Sequence, residues 1–320
     1  MAATQYDRLG FPIPAEFDPH PDDRATPRPG RPAPPPSRRR PRSAKRLLLA
    51  AVAGLVIAPL ILAPAVMPIV REVVVEWSLQ RAIAHEGRGN LGWAVRDVSR
   101  ALDWLDPADR GRDSRSRLLC WRAMLQIEDH RPHRGLSDAD QAAITAPAAV
   151  QPQRVRALAL SVLGDFDQAL RAADLAVGLA GEGDPDALNH RAYMRALANR
   201  DLEHALADIN RALEGSGGES PEFLDTRGYI LHLLGRQQEA LDDLNLAVGA
   251  TQDERRRLLL LAPHVDADEF AYRLRTMDHG LAVMLHHRGL ACQALGLAAQ
   301  ADQDFATAKN KGFDPSAGVW

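Results

Sequence analysis

The stretch Thr226–Val248 is the unit on which most of the chain between Glu76 and Pro315 is patterned. Gly228, Leu231 and Leu234 recur at three-residue steps, with Tyr229 and Ile230 filling in, which predicts an apolar stripe along one helix. Gly235 stops that helix. Ala240, Leu241, Leu244, Ala247 and Val248 follow at steps of one, three and four, the pattern of a second amphipathic helix. Two helices of roughly a dozen residues cannot bury such stripes alone, so the unit needs copies of itself as neighbours.

Copies stand on both sides. Arg288-Gly289, Cys292, Gly296, Ala301, Asp304, Phe305 and Ala308 repeat Arg227-Gly228, Leu231, Gly235, Ala240, Asp243, Leu244 and Ala247 at the same spacing. Ala157, Leu160, Gly164, Ala169, Ala173 and Ala176 do so upstream, and Arg191-Ala192, Arg195, Asn199, Ala205, Asp208, Ile209 and Ala212 form a looser copy. Two earlier copies run through Ala123, Gln126, Gly135, Asp138, Ala139, Ala142 and Pro147, and through Ala82, Gly89, Ala94, Asp97, Val98 and Ala101. Gly135, Ala169, Ala205 and Ala240 are 34, 36 and 35 residues apart.

This pattern resembles the tetratricopeptide repeat, with its period of about 34 residues and two helices per unit. The resemblance covers roughly three quarters of the chain and implies an all-α fold, a right-handed α-solenoid of about six helix-turn-helix units. It implies that Ala157, Ala192, Gly228 and Gly289 are small where the two helices of one unit cross. Gly135, Ala169, Ala205, Ala240 and Ala301 would be small where the second helix meets the next unit. The sequence departs from the family pattern: the aromatic four residues before the first small position is absent, and a closing proline survives only as Pro107, Pro147 and Pro315.

Composition agrees with stacked helices. The chain is 46% hydrophobic but only 5% aromatic, so its core is built from Ala and Leu rather than rings. Cys120 and Cys292 fall in first helices several units apart, which predicts two small buried hydrophobes rather than a disulfide. The net charge of -3 hides a basic tail, since residues 1–46 carry ten Arg or Lys against five Asp or Glu. A basic tail of this kind is no nucleic-acid-binding domain.

Residues 1–46 are rich in Pro and Arg and too poor in apolar side chains to offset chain entropy, which predicts a disordered tail. Residues 47–70 then carry no charge, and 13 of the 24 are Leu, Ile or Val. At about 1.5 Å per residue they reach roughly 36 Å, enough for one transmembrane helix. Arg38, Arg39, Arg40, Arg42, Lys45 and Arg46 precede the span, whereas Arg71 and Arg81 beyond it are balanced by Glu72 and Glu76. The positive-inside rule therefore predicts a single-pass protein with a cytoplasmic N-terminus and residues 71–320 extracytoplasmic, periplasmic in a bacterium. Trp77 falls at headgroup depth or in the first unit's core, and Trp93, Trp104 and Trp121 are expected between the first two units.

After Thr251 the expected turn fails to arrive. Helical pattern runs over 252–265 and 268–288 with a break at Ala262-Pro263, so Ala240 and Ala301 are 61 apart. This predicts a helical insert near 252–286, either an added hairpin or an elongated first helix of the last unit. Asp266 and Asp268 are cap candidates, and Gly312 and Pro315 end the last helix.

No catalytic pattern appears. The eleven histidines form no His-Glu-x-x-His or Cys-His zinc spacing, and His279 and His286 are seven apart, poorly placed to share an ion. No metal, cofactor or small-molecule substrate is expected. The resemblance implies that first helices line a concave groove for partner peptides or helices. Arg154, Asn189, Tyr193, Asp225, Tyr229, His232, His286 and Gln293 would be displayed there. The sequence reading is a membrane-anchored, non-enzymatic scaffold whose partners are other proteins and, through 47–70, the lipid bilayer. The alternatives are a structural subunit of a membrane-embedded secretion or envelope assembly complex, and an enzyme within the 252–288 insert.

Overall fold

A computed structural model describes residues 58–105, 112–217 and 220–314. The tail 1–46, residues 47–57 of the apolar span, Pro107 and Pro315 lie outside the described residues. Twelve α-helices and no strand occur among the described residues: α1 Ala58–Gly87, α2 Leu91–Trp104, α3 Arg112–Glu128, α4 Pro132–Thr145, α5 Val150–Val162, α6 Phe166–Ala180, α7 Pro185–Leu197, α8 Leu202–Ser216, α9 Pro221–Leu233, α10 Gln237–Leu261, α11 Ala267–Ala294 and α12 Ala298–Asn310. Each odd-numbered helix forms a hairpin with the one after it. Each even helix then packs on the next odd one, and α3, α5, α7, α9 and α11 also touch in succession.

Every hairpin has a left-handed residue at its turn, namely Gly89, His130, Gly164, Asn199, Gly235 and Gly296, with φ between 50° and 78°, and the α7–α8 turn adds a second in Asp201 at 49°. There the backbone N–H of the residue after the left-handed one folds back onto a carbonyl of the last turn. Arg236 N donates to Leu231 O at 2.9 Å, Asp165 N to Leu160 O at 2.9 Å and Leu297 N to Cys292 O at 2.9 Å. This satisfies carbonyls the helix end would leave unpaired. Glycine fills four of the six positions because it adopts this conformation without strain. Asp165, Asp184 and Asp266 cap the helices that follow them, each accepting a backbone N–H with its carboxylate.

Small residues sit where the two helices of one unit cross. A Cβ on Gly228 would lie 2.6 Å from Leu244 Cγ, one on Gly289 2.5 Å from Phe305 Cε1 and one on Gly135 2.5 Å from Ile127 Cγ1. Ala157, Ala169, Ala192, Ala205, Ala240 and Ala301 are all buried. One expectation is corrected: Gly135, a second-helix position, faces Ile127 and the Ala123 carbonyl of its own unit. Both small residues of that unit therefore serve a single crossing, because a helix pair this close leaves room for a side chain on neither side.

A ladder of ion pairs joins the units. In four hairpins an arginine beside the small residue of the first helix grips an aspartate of the second with two bonds of 2.6–2.8 Å: Arg122–Asp138, Arg191–Asp208, Arg227–Asp243 and Arg288–Asp304. The remaining arm of each guanidinium reaches the preceding unit, at Ser99, Asp174, Asn210 and Asn245 respectively, at 2.9–3.4 Å. In the α5–α6 hairpin Ala172 occupies the aspartate position, and Arg156 pairs with Asp140 of the preceding unit at 2.8 Å while reaching only the neutral Gln168 of its own second helix, at 3.3 Å. The planar guanidinium can hold its own carboxylate bidentately and still donate elsewhere, which a lysine could not do.

The insert proves to be an extension of two helices. α10 runs on past Thr251 to Leu261, a 3-10 turn at Ala262–His264 follows, and α11 begins at Ala267. The resulting arm reaches back to the first two units. Arg88 pairs with Asp268, Arg275 pairs with Glu128, and Gly87 abuts the Tyr272 backbone so closely that a Cβ would lie 2.6 Å from its nitrogen.

α1 is continuous from Ala58 through the first unit, and Val66, Met67, Ile69, Val73 and Trp77 are exposed on it. No helix among the described residues is long and apolar enough to cross a membrane. Trp93 is also exposed, stacked on His85 with Arg96 over its ring, rather than packed between units as its sequence position suggested. Trp121 does bridge them, donating to Glu86 at 2.7 Å. Both cysteines are free and buried.

Candidate functional site

The first helices place Arg154 on α5, Asn189 and Tyr193 on α7, Asp225, Tyr229 and His232 on α9, and His286 and Gln293 on α11. Tyr193 and Tyr229 come together, their ring centroids 6.4 Å apart. The residue that organises them is His287. It is 0% exposed, stacks on Tyr229 at 4.2 Å with the rings 12° apart, and meets Tyr193 edge-on at 6.4 Å. Its Nδ1 lies 2.9 Å from Asp225 Oδ1.

Asp225 is thus buried and engaged with His287 rather than displayed to a partner, which corrects the sequence reading at that position. His232 belongs to its own hairpin turn, with Nδ1 2.7 Å from Gln237 Oε1. His286 points away from the tyrosines onto Phe313 and Phe305, at 4.5 and 5.4 Å between centroids. Gln293 is exposed. Of the eight residues, Tyr193, Asp225 and Tyr229 form one cluster, whereas His232 and His286 lie in other contacts.

Sequence reasoning passed over His287. Its partner Asp225 lies 62 positions earlier in the chain, beyond the arm, so no local spacing could pair them. An Asp–His pair could orient a general base, but the chemistry stops there. Burial and the nearby Asp225 charge hold the Tyr193 hydroxyl well above its usual range, and burial does the same for Tyr229. The His287 imidazole is fully enclosed by these side chains. Burial also pushes the Cys120 thiol up to about 12, so it is no nucleophile either. Among the described residues no group of three His, Cys, Asp or Glu side chains could hold a metal ion.

Beside the tyrosines the face is polar and incompletely satisfied. Arg154 Nε, Asn189 Oδ1 and His190 Nε2 are buried atoms with no hydrogen-bond partner among the described residues. Burial, followed by the Arg154 charge, pushes the His190 imidazole down to about 3, so it is neutral at physiological pH.

No family model matches the chain, and no curated protein matches it. Solved structures similar to it include a tetratricopeptide repeat protein from Parabacteroides merdae, 16% identical, covering 75% of this chain and 94% of that one with a TM-score of 0.44. Another is a thermophilic TPR protein of Thermus thermophilus, 19% identical, covering 63% of this chain and 98% of that one with a TM-score of 0.46. A third is MamA from Desulfovibrio magneticus, 13% identical, covering 61% and 94% with a TM-score of 0.38. The tetratricopeptide-like character of the fold rests on the chain's own geometry: repeated hairpins, left-handed turns and small residues at each crossing.

Proposed function

We propose that the protein is a scaffold that holds other proteins on the inner face of its repeats and carries out no reaction of its own. The observation that supports this most is the pairing of unpartnered buried atoms, Arg154 Nε and Asn189 Oδ1, with the adjoining tyrosines. A buried polar atom without a partner is costly, and the backbone of an extended peptide carries the donors and acceptors that would relieve it. Tyrosine contributes large contact area at low conformational cost.

The test is selection of extended peptides from a random library on the wild-type chain, followed by titration of Arg154→Ala with Asn189→Ala. The Arg154 Nε and Asn189 Oδ1 atoms removed have no protein partner, and a variant shown by its melt to be folded should bind at least tenfold more weakly, a loss of about 1.4 kcal/mol. Undiminished binding by a folded double variant removes this face from recognition.

Membrane attachment is part of the proposal. The apolar run 47–70 overlaps the start of α1, where Val66, Met67 and Ile69 are exposed within it and Val73 just beyond it. A chain beginning at Arg71 is expected in the soluble fraction and the full chain in the alkali-resistant membrane fraction. A reporter fused after Trp320 should read extracytoplasmic. A full chain released by alkali sinks the anchor, and a cytoplasmic reporter reverses the orientation.

A further inference from the structure

The arm formed by the end of α10 and the start of α11 is built differently from the body it springs from. No residue of α11 from Ala267 to Gly280 is fully buried, whereas all five from Leu281 to Leu285 are. Beyond Thr251, α10 buries only Leu258. The arm is therefore rooted in a well-packed base, where Arg255 and Lys311 both pair with Asp278, and is thinly packed along its length.

Its far end is fastened by polar contacts. Arg88–Asp268 is a pair of exposed side chains, and Arg275–Glu128 is only partly buried. Next to this seam lies an open cleft of about 730 Å³ bordered by Leu91, Phe270, Leu274 and Phe313, so apolar packing does not close it. Gly280 stands where the thinly packed part of α11 gives way to the buried part, and a Cβ there would meet no atom within 4 Å. A helix-interior glycine that packing does not require is a weak point in that helix. Thin packing and exposed hydrogen bonds mark the segments of a fold that open first.

We infer that the arm is a releasable clasp, hinged near Gly280 and fastened to the first two units by its ionic seam. The inference rests on the reading of the inner face as the partner site. In this clasp the fastened arm closes over the face of α5, α7 and α9, the helices that lie in the chain between its two anchorages on α3 and on the base of α11. Release gives a partner access to Arg154, Asn189 and Tyr193, and fastening restricts it.

The experiment is a distance measurement by pulsed dipolar spectroscopy on the full chain, with spin labels at His133→Cys on α4 and Arg257→Cys on the arm, both exposed positions. Native Cys120 and Cys292 are buried. Raising NaCl from 0.1 to 1 M shortens the screening length from about 10 to about 3 Å and should enlarge a longer-distance population. Gly87→Val, which thrusts a side chain into the Tyr272 backbone, should make that population dominant. Arg88→Ala with Arg275→Ala should enlarge it without steric intrusion, and Gly280→Ala, which stiffens the hinge, should shrink it. A label pair at Arg171→Cys and Asp186→Cys, within the packed central units, should not move. One distance that responds to neither salt nor the seam variants overturns the clasp, and so does equal movement of the central pair. The measurement needs no partner, so the clasp can fail while the peptide-binding reading stands, and the reverse.

Discussion

Asp243→Ala tests whether the ion-pair ladder holds the units in register. In the wild type Arg227 donates to Asp243 through Nε at 2.6 Å and Nη2 at 2.8 Å, with Asn210 of the preceding unit at 3.4 Å. The Arg227 side chain is 30% exposed and that of Asp243 10%, so the arginine keeps some water after its partner goes. Breaking a fully buried pair costs about 3–5 kcal/mol, and partial exposure moves the expectation to about 2–3 kcal/mol. For an array of this size that lowers the melting midpoint by roughly 4–12 °C, at about 2–4 °C per kcal/mol. The second arm of the experiment is Arg227→Met with Asp243→Leu, which removes both charges and should lie within about 1 kcal/mol of wild type. Circular dichroism melts and urea titrations on the two variants and Arg227→Met alone complete the cycle. The α5–α6 hairpin is a built-in comparison: Ala172 stands at the aspartate position, so Arg156→Met there should cost less than Arg227→Met. A single Asp243→Ala variant within about 0.5 kcal/mol of wild type, the noise of such melts, would refute the reasoning. So would a double variant as damaged as the single one.

Three further outcomes follow from the same geometry. Gly228→Leu should destabilise by about 1–3 kcal/mol or more, since even its Cβ would sit 2.6 Å from Leu244 Cγ; an unchanged urea midpoint would remove Gly228 from the crossing. His190 and His286, held down to about 3 and about 4 by burial, are neutral in the folded chain, while the unfolded chain protonates below about pH 6.5. Their contribution is therefore complete above about 6.5 and is lost as the pH falls toward 4 and then 3, and His190→Gln should flatten the decline between pH 6.5 and 5; a slope unchanged by that variant contradicts the assignment. Cys120, with its thiol pushed up to about 12, should react with a thiol reagent only upon unfolding, and rapid labelling of the native chain would count against its enclosure.

The hairpins were legible because they follow from local spacing. A stripe of Gly228, Leu231 and Leu234, a stop at Gly235 and a second stripe from Ala240 leave one arrangement that buries both faces, and the turn at Gly235 is left-handed as a helix-ending glycine should be. The ladder was equally present in the text of the chain, as an arginine directly before each first-helix small residue and, except at Ala172, an aspartate 16 or 17 positions later. These residues recur visibly in the repeat pattern, but recurrence alone does not say that they pair. The arm was visible only as a missing turn after Thr251. Where it lands depends on contacts such as Arg275–Glu128, 147 positions apart, which no local pattern encodes. The same distance in sequence hid the Asp225–His287 contact, and with it the fact that Asp225 is occupied.

The ladder lacks an onward contact on the last helix among the described residues. Two positions past the aspartate of each earlier second helix, or past Ala172 standing in its place, the chain offers an acceptor to the following arginine: Ser99, Asp140, Asp174, Asn210 and Asn245. On α12 the corresponding residue is Ala306, a methyl group with nothing to accept. A guanidinium laid against that helix in the same register would meet a hydrocarbon surface, so a joint there would lack the contact to the preceding unit that each interior joint has.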